Sequence, residues 1–256
     1  MIDNSKRLSH SLSTRLMRIC GTMFFVISAL LWLTNLTLAQ KQFSEDVFKT
    51  AGGDLKITCI NHATLMFTYA GKVIHVDPVS SYADYARLPK ADLILITHEH
   101  GDHLDAKAIQ AVSTAQTVVV ANAAAKSIPN ATIMANGETK TVAGFKIEAV
   151  PAYNLEKTFH PKGRGNGYII TFGDKRVYAA GDTENTPEMK SLKGIDIAFL
   201  PMNLPYTMTP EMVADAAKAF RPKILYPYHF GNTDTSTLVN LLKDEKRIEV
   251  RIRDMK

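Results

Sequence analysis

An apolar run, Leu93 to Ile96, leads straight into Thr97-His98-Glu99-His100-Gly101-Asp102-His103. Three imidazoles and an aspartate thus leave the end of one strand within six residues. In extended backbone His98 and His100 point to the same side, and Gly101 lets the chain turn so that Asp102 and His103 face a second point. Imidazole nitrogen and carboxylate oxygen suit Zn²⁺ at about 2.0–2.2 Å, so Cys59 is not needed as a donor. Asp182 and His229 also follow apolar runs; alone each reads as a turn or capping residue, and beside the histidine cluster each becomes a candidate ligand.

Positioning such groups requires strands that open at one edge. Short β-branched runs bounded by turn residues predict strands over 55–60, 64–69, 72–76, 93–97, 118–120, 146–150, 167–172, 176–180, 195–200, 223–228 and 248–253. Helices are expected over 105–112, 186–191, 210–220 and 235–242. The third has the clearest start, with Thr209 as N-cap, Pro210 in the first helical position and Glu211 at the positive helix end. Hairpins come first and helix-separated strands later, so the pattern points to sheets covered by helices rather than a barrel. Residues 161–167, rich in glycine, read as the most flexible internal segment.

The chain has 256 residues, 46% apolar and 21% charged, with a formal net charge of +5 and two cysteines. This composition excludes disordered, collagenous and disulfide-stapled classes. Lys6, Arg7, Arg15 and Arg18 against Asp3 place three of the five charges in the first 39 residues. The nearly neutral remainder gives no basic face for nucleic acid. Arg15 and Arg18 precede the apolar stretch 23–33, a polar break at Thr34-Asn35, and Ala39-Gln40. That layout predicts a signal peptide over 1–39, export to the periplasm or exterior, and a single domain over 40–256. The rival is a retained membrane anchor, because 19–39 lacks charge. Cleavage leaves Cys59 alone, without an intrachain partner.

His-x-His-x-Asp-His after an apolar strand resembles the metallo-β-lactamase-fold hydrolases. Asp77-Pro78, Gly181-Asp182-Thr183 and Tyr228-His229-Phe230-Gly231, each at a strand end, extend the resemblance over most of 55–232. It implies an α/β fold built as a four-layer αββα sandwich with metals at the sheet edge. It also implies His98 and His100 at a first metal, Asp102, His103 and His229 at a second, and Asp182 bridging them. The ions would be two Zn²⁺, with Mn²⁺ or Fe as other occupants. Asn61-His62-Ala63-Thr64 and the 201–208 stretch are most similar to the branch holding ascorbate-phosphate lactonase-like proteins and other broadly named metal-dependent hydrolases.

The chain departs from the pattern after the strand 146–150, where a histidine usually completes the first metal site. Here Pro151-Ala152-Tyr153-Asn154 stands, and the next histidine is His160. Either Asn154 or His160 completes the site, the amide oxygen being the poorer zinc donor. Asp77 is expected to orient an imidazole, His62 to line the site or complete a turn, and Tyr206 and Thr207 to touch substrate or serve an ordinary turn. His75, inside a strand, reads as structural, and Met202, Met208 and Met212 as packing residues.

Such a site would hydrolyse an ester, lactone, amide or phosphodiester of a small molecule with an activated water. Asp102 would orient that water or take its proton, and His160, His62 or a solvent molecule would serve the leaving group. Two alternatives stay open: an iron-dependent redox enzyme on the same fold, and a non-catalytic exported binding protein. Oligomeric state is not legible.

Overall fold

The computed structural model describes residues 43–256 apart from Lys126; the leader expected over 1–39 lies outside the described residues. Among the described residues no helix is long and apolar enough to cross a membrane. Two seven-stranded sheets carry the fold. The first follows chain order: β1 (Ser44–Thr50), β2 (Gly53–Asn61), β3 (Thr64–Tyr69), β4 (Lys72–Val76), β5 (Leu93–Ile96), β6 (Val118–Ala121) and β7 (Thr132–Ile133). The second does the same: β8 (Thr139–Val142), β9 (Phe145–Ala152), β10 (Gly165–Phe172), β11 (Lys175–Ala179), β12 (Ile197–Pro201), β13 (Ile224–Tyr228) and β14 (Glu249–Val250).

Both sheets share one wiring. Three antiparallel pairings come first in each, and three parallel pairings follow. The hairpin-then-crossover order expected once for the whole chain therefore occurs twice.

Helix α1 (Ala106–Val112) covers the first sheet, and α2 (Pro187–Lys190), α3 (Pro210–Phe220) and α4 (Thr235–Leu242) belong to the second half. Strand β5 shows how the layers form from sequence. Leu93 and Leu95 join the large core with β2, β3, β9 and β10, while Ile94 and Ile96 pack on Ala108, Ile109 and Val112 of α1. A strand buried on both faces must be apolar throughout, as Leu93–Ile96 is. On the other side Val213, Ala217 and Phe220 of α3 and Leu238 and Leu242 of α4 pack into the core shared with the second sheet. The result is the four-layer αββα sandwich.

The expected caps are present. Asp105 accepts hydrogen bonds from Lys107 N and Ala108 N, Thr186 from Met189 N, and Thr209 from Met212 N. The glycine-rich segment differs from expectation, because Gly165, Asn166 and Gly167 open β10. Asn166 N donates to Thr97 O at 2.9 Å, and its side chain bonds Met134 O and Asn136. A Cβ on Gly165 would sit 2.8 Å from Ala152 O, so glycine there serves strand packing rather than motion.

Candidate metal centre

The candidate residues leave strand ends along one rim of the sandwich. His62 occupies the β2–β3 turn, Asp77 follows β4, and residues 97–103 follow β5. Asn154 and His160 lie on the β9–β10 connection, Asp182 follows β11, and His229 follows β13. Parallel strands direct their carboxyl ends to the same side, the usual place for a site in such sheets. His62, Asp77 and His229 adopt left-handed backbone, with φ of 53°, 46° and 47°. Non-glycine residues hold such angles only where the surroundings fix them. His229 N donates to His62 O at 2.9 Å, locking two of the three together.

Side chains gather into two groups around one carboxylate. His98, His100 and His160 bring nitrogen atoms within 4.8 Å of one another, as do His62, Asp102, His103 and His229 with their nitrogen and carboxylate atoms. Asp182 stands between the groups. Its Oδ2 lies 3.2 Å from His160 Nε2, 3.3 Å from His229 Nε2 and 4.0 Å from His98 Nε2, and its Oδ1 lies 3.4 Å from His103 Nε2. Asp102 Oδ2 lies 3.2 Å from His62 Nε2 and 3.6 Å from His229 Nε2.

The residues behind these groups set which nitrogen faces inward. Asp77 Oδ2 accepts from His103 Nδ1 at 2.8 Å and from the Thr97 hydroxyl at 2.6 Å. With its proton committed to Asp77, Thr97 Oγ1 accepts from His98 Nδ1 at 3.0 Å. One buried carboxylate thereby turns the Nε2 lone pairs of His103 and His98 toward the centre, one in each group. Asn154 Oδ1 does the same for His160, lying 2.9 Å from both its Nδ1 and its backbone N.

Electrostatics place protons in this cluster when only protein atoms fill it. Burial opposes charge on His103 and His229, but Asp182 with Asp77 lifts His103 well above the ordinary range, and Asp182 with Asp102 lifts His229 to about 9. Burial would raise Asp182, yet His229 and His103 hold it well below the usual carboxylate range. Asp102 is held low by His229 and His62 against the same burial effect. His98 is pushed down, first by burial and then by His103.

His103 Nε2, Asp182 Oδ1 and both His229 ring nitrogens are buried without a hydrogen-bond partner. Unpaired buried polar atoms are costly, and a divalent ion would satisfy His103 Nε2, His229 Nε2 and Asp182 Oδ1 together. The donor set of imidazole and carboxylate fits a metal.

Asn154 does not join the cluster; its oxygen is turned to His160. His160 turns Nδ1 to Asn154 and Nε2 toward Asp182. His62 sits within the second group rather than merely completing a turn, its ring 3.5 Å from that of His229 between centroids. Thr207 is buried and its hydroxyl bonds Asn203 within its own loop, so it does not face a substrate. Tyr206 is exposed and packs edge-on against Phe159 at 4.9 Å. Gly181 is needed for close approach between the sheets: at φ 66°, a Cβ there would lie 2.9 Å from Thr97 Cβ. His75 is buried, donates to Pro89 O at 3.0 Å and is far down toward neutrality, to about 4, because of burial. Met202 and Met208 are buried in the core.

Sequence reasoning missed Thr97, whose role depends on a neighbour 20 residues away. It also missed Glu184, buried beside Asp182. Glu184 Oε2 accepts from Leu155 N at 2.6 Å and Glu156 N at 3.0 Å, and Oε1 pairs with Lys157 Nζ. The carboxylate thereby straps down the loop that carries His160. A polar residue two positions after Asp182 was the only signal.

Residues 56–229 match the family described as Beta-lactamase superfamily domain. A UPF0173 metal-dependent hydrolase of Pelotomaculum thermopropionicum is 31% identical over 194 residues, covering 69% of this chain and 85% of the relative. Among solved structures, one described as a metal-dependent hydrolase from Parabacteroides distasonis is 56% identical, with a TM-score of 0.81, covering 84% of this chain and all of that one. A metallo hydrolase from Ignicoccus hospitalis shares the fold at 24% identity and a TM-score of 0.66, covering 77% of this chain and 94% of that one. Matched in fold and over most of its length, the chain belongs to the β-lactamase superfamily and, within it, to the UPF0173 metal-dependent hydrolases.

Proposed function

We propose that this metal-dependent hydrolase acts on a small-molecule ester, lactone, amide or phosphodiester with two Zn²⁺ ions. His98, His100 and His160 would hold one ion, Asp102, His103 and His229 the other, and Asp182 would contact both. The observation carrying this reading is the convergence of four imidazole nitrogens, two from each group, on the Asp182 carboxylate within 4.0 Å. When bound, such ions supply a Lewis acid for the scissile group and lower the pKa of water toward about 7.

The protein's own share is positioning and proton handling. Asp102 is the more accessible carboxylate, with 44% of its side chain exposed against 4% for Asp182. It is thus placed to accept a proton at the open side, where His62 Nε2 can share it over 3.2 Å. The leader supports export, with the mature chain starting at Gln40.

The test is elemental analysis of purified full-length protein together with hydrolysis of ester, lactone, amide and phosphodiester panels, before and after chelation. Two zinc equivalents and activity lost on chelation and restored by Zn²⁺ are expected. A protein with iron absorption and no hydrolysis would favour the redox alternative.

A further inference from the structure

Eight large apolar side chains are exposed among the described residues, and four of them stand on two neighbouring loops beside the cluster: Leu155 at 50%, Phe159 at 43%, Leu204 at 46% and Tyr206 at 45%. Scattered exposed apolar residues need no explanation, but a concentration next to a polar site marks a ligand surface. Phe159 lines the same pocket as His98, His100, His160 and Asp182, with Ala152 and Pro161 completing its apolar wall. The two loops are tied in place: Asn154 Nδ2 donates to Tyr206 O at 3.2 Å, Lys157 Nζ donates to Thr207 O at 2.9 Å, and Glu184 holds Leu155 and Glu156. The wall is therefore preformed, as ligand sites commonly are.

Arg164 and Glu99 line the same pocket. Arg164 Nε donates to Glu99 Oε1 at 2.7 Å, and a second guanidinium nitrogen reaches the same oxygen. With its charge matched by Glu99, Arg164 does not demand an anionic group on the ligand. We infer that Phe159 and Tyr206 determine specificity, and that the substrate carries an uncharged apolar acyl group which lies across their rings while its carbonyl faces the His98, His100 and His160 group. This rests on the hydrolase reading above and narrows its substrate class.

The test uses carboxylates, the acyl products of such a hydrolysis, titrated calorimetrically into the Zn²⁺-loaded full-length chain. Burial of each methylene should raise affinity about two- to fourfold, so hexanoate should bind at least about tenfold more tightly than acetate. In Phe159→Ala the hexanoate-to-acetate ratio should fall to within about threefold. Tyr206→Ala should lower it in part, and Phe159→Leu should keep most of it, with metal content unchanged in all three. A wild-type ratio near one, or a ratio unmoved in both alanine variants, overturns the assignment. So does a dimer by sedimentation that Phe159→Ala dissociates, since the patch would then serve a second copy. Acetate binding that ignores metal removal counts against the metal centre instead, while the hexanoate-to-acetate ratio still decides whether the apolar wall binds the chain.

Discussion

Asn154 Oδ1 lies 2.9 Å from both the backbone nitrogen and Nδ1 of His160, so the amide oxygen is turned to the imidazole rather than into the cluster. His160→Ala should remove about one metal equivalent. Asn154→Ala should keep both equivalents at saturating metal but weaken the His98, His100 and His160 group about 10- to 100-fold, the usual cost of losing such a partner. Competition with a chelator of known affinity checks both, and an Asn154→Ala protein that loses the equivalent outright would make the amide a ligand.

Asp77 reaches both groups, through His103 directly and through Thr97 to His98. Asp77→Asn is therefore expected to weaken both metals, whereas Thr97→Val should weaken only the one near His98. Stoichiometric titration of the two variants distinguishes the effects.

The metal-free protein should lose stability as pH rises above neutrality. Asp182 and Asp102 lift His229 from its usual 6.5 to about 9 in spite of burial. A raised folded-state value means the stabilisation is fully present below about 6.5 and lost as pH passes through about 9, a contribution on the order of 3 kcal/mol. Thermal unfolding of chelated protein between pH 6 and 10 should show this fall, and His229→Gln should reduce it, leaving the share that His103 contributes. Metal affinity should run the other way, rising with pH, because the ligating imidazoles must shed their protons.

Glu184→Ala removes the acceptor for Leu155 N, Glu156 N and Lys157 together. The expected cost is about 2 kcal/mol, from a broken part-buried ion pair and stranded amides. Chemical denaturation measures that cost, and limited proteolysis should find new cleavage between residues 154 and 164.

The strands and helices that carry the site were legible because their apolar periodicity is strong, down to α3 at 210–220 and its Thr209 cap. Strand β1 was not: Ser44–Thr50 alternates half-buried and exposed residues and is held by backbone pairing to β2 and by Asp46 to Arg251 and Arg253. β7 is only two residues long and β8 is short and mostly polar, and of the stretch expected over 248–253 only Glu249–Val250 pairs. In the site, the 98–103 cluster was readable because local spacing fixes its geometry. His160 was readable only as one of two candidates beside Asn154, because its reach depends on a loop tied down by Glu184, 24 residues later in sequence.

The doubled wiring of the sheets has a mechanical consequence. The first sheet brings His62, His98, His100, Asp102 and His103 to the rim, and the second brings His160, Asp182 and His229, so neither owns a full set of donors. An ion seated there is a clasp across the seam between halves. Separating the two sheets would then require breaking coordination at the rim as well as exposing the apolar core they share.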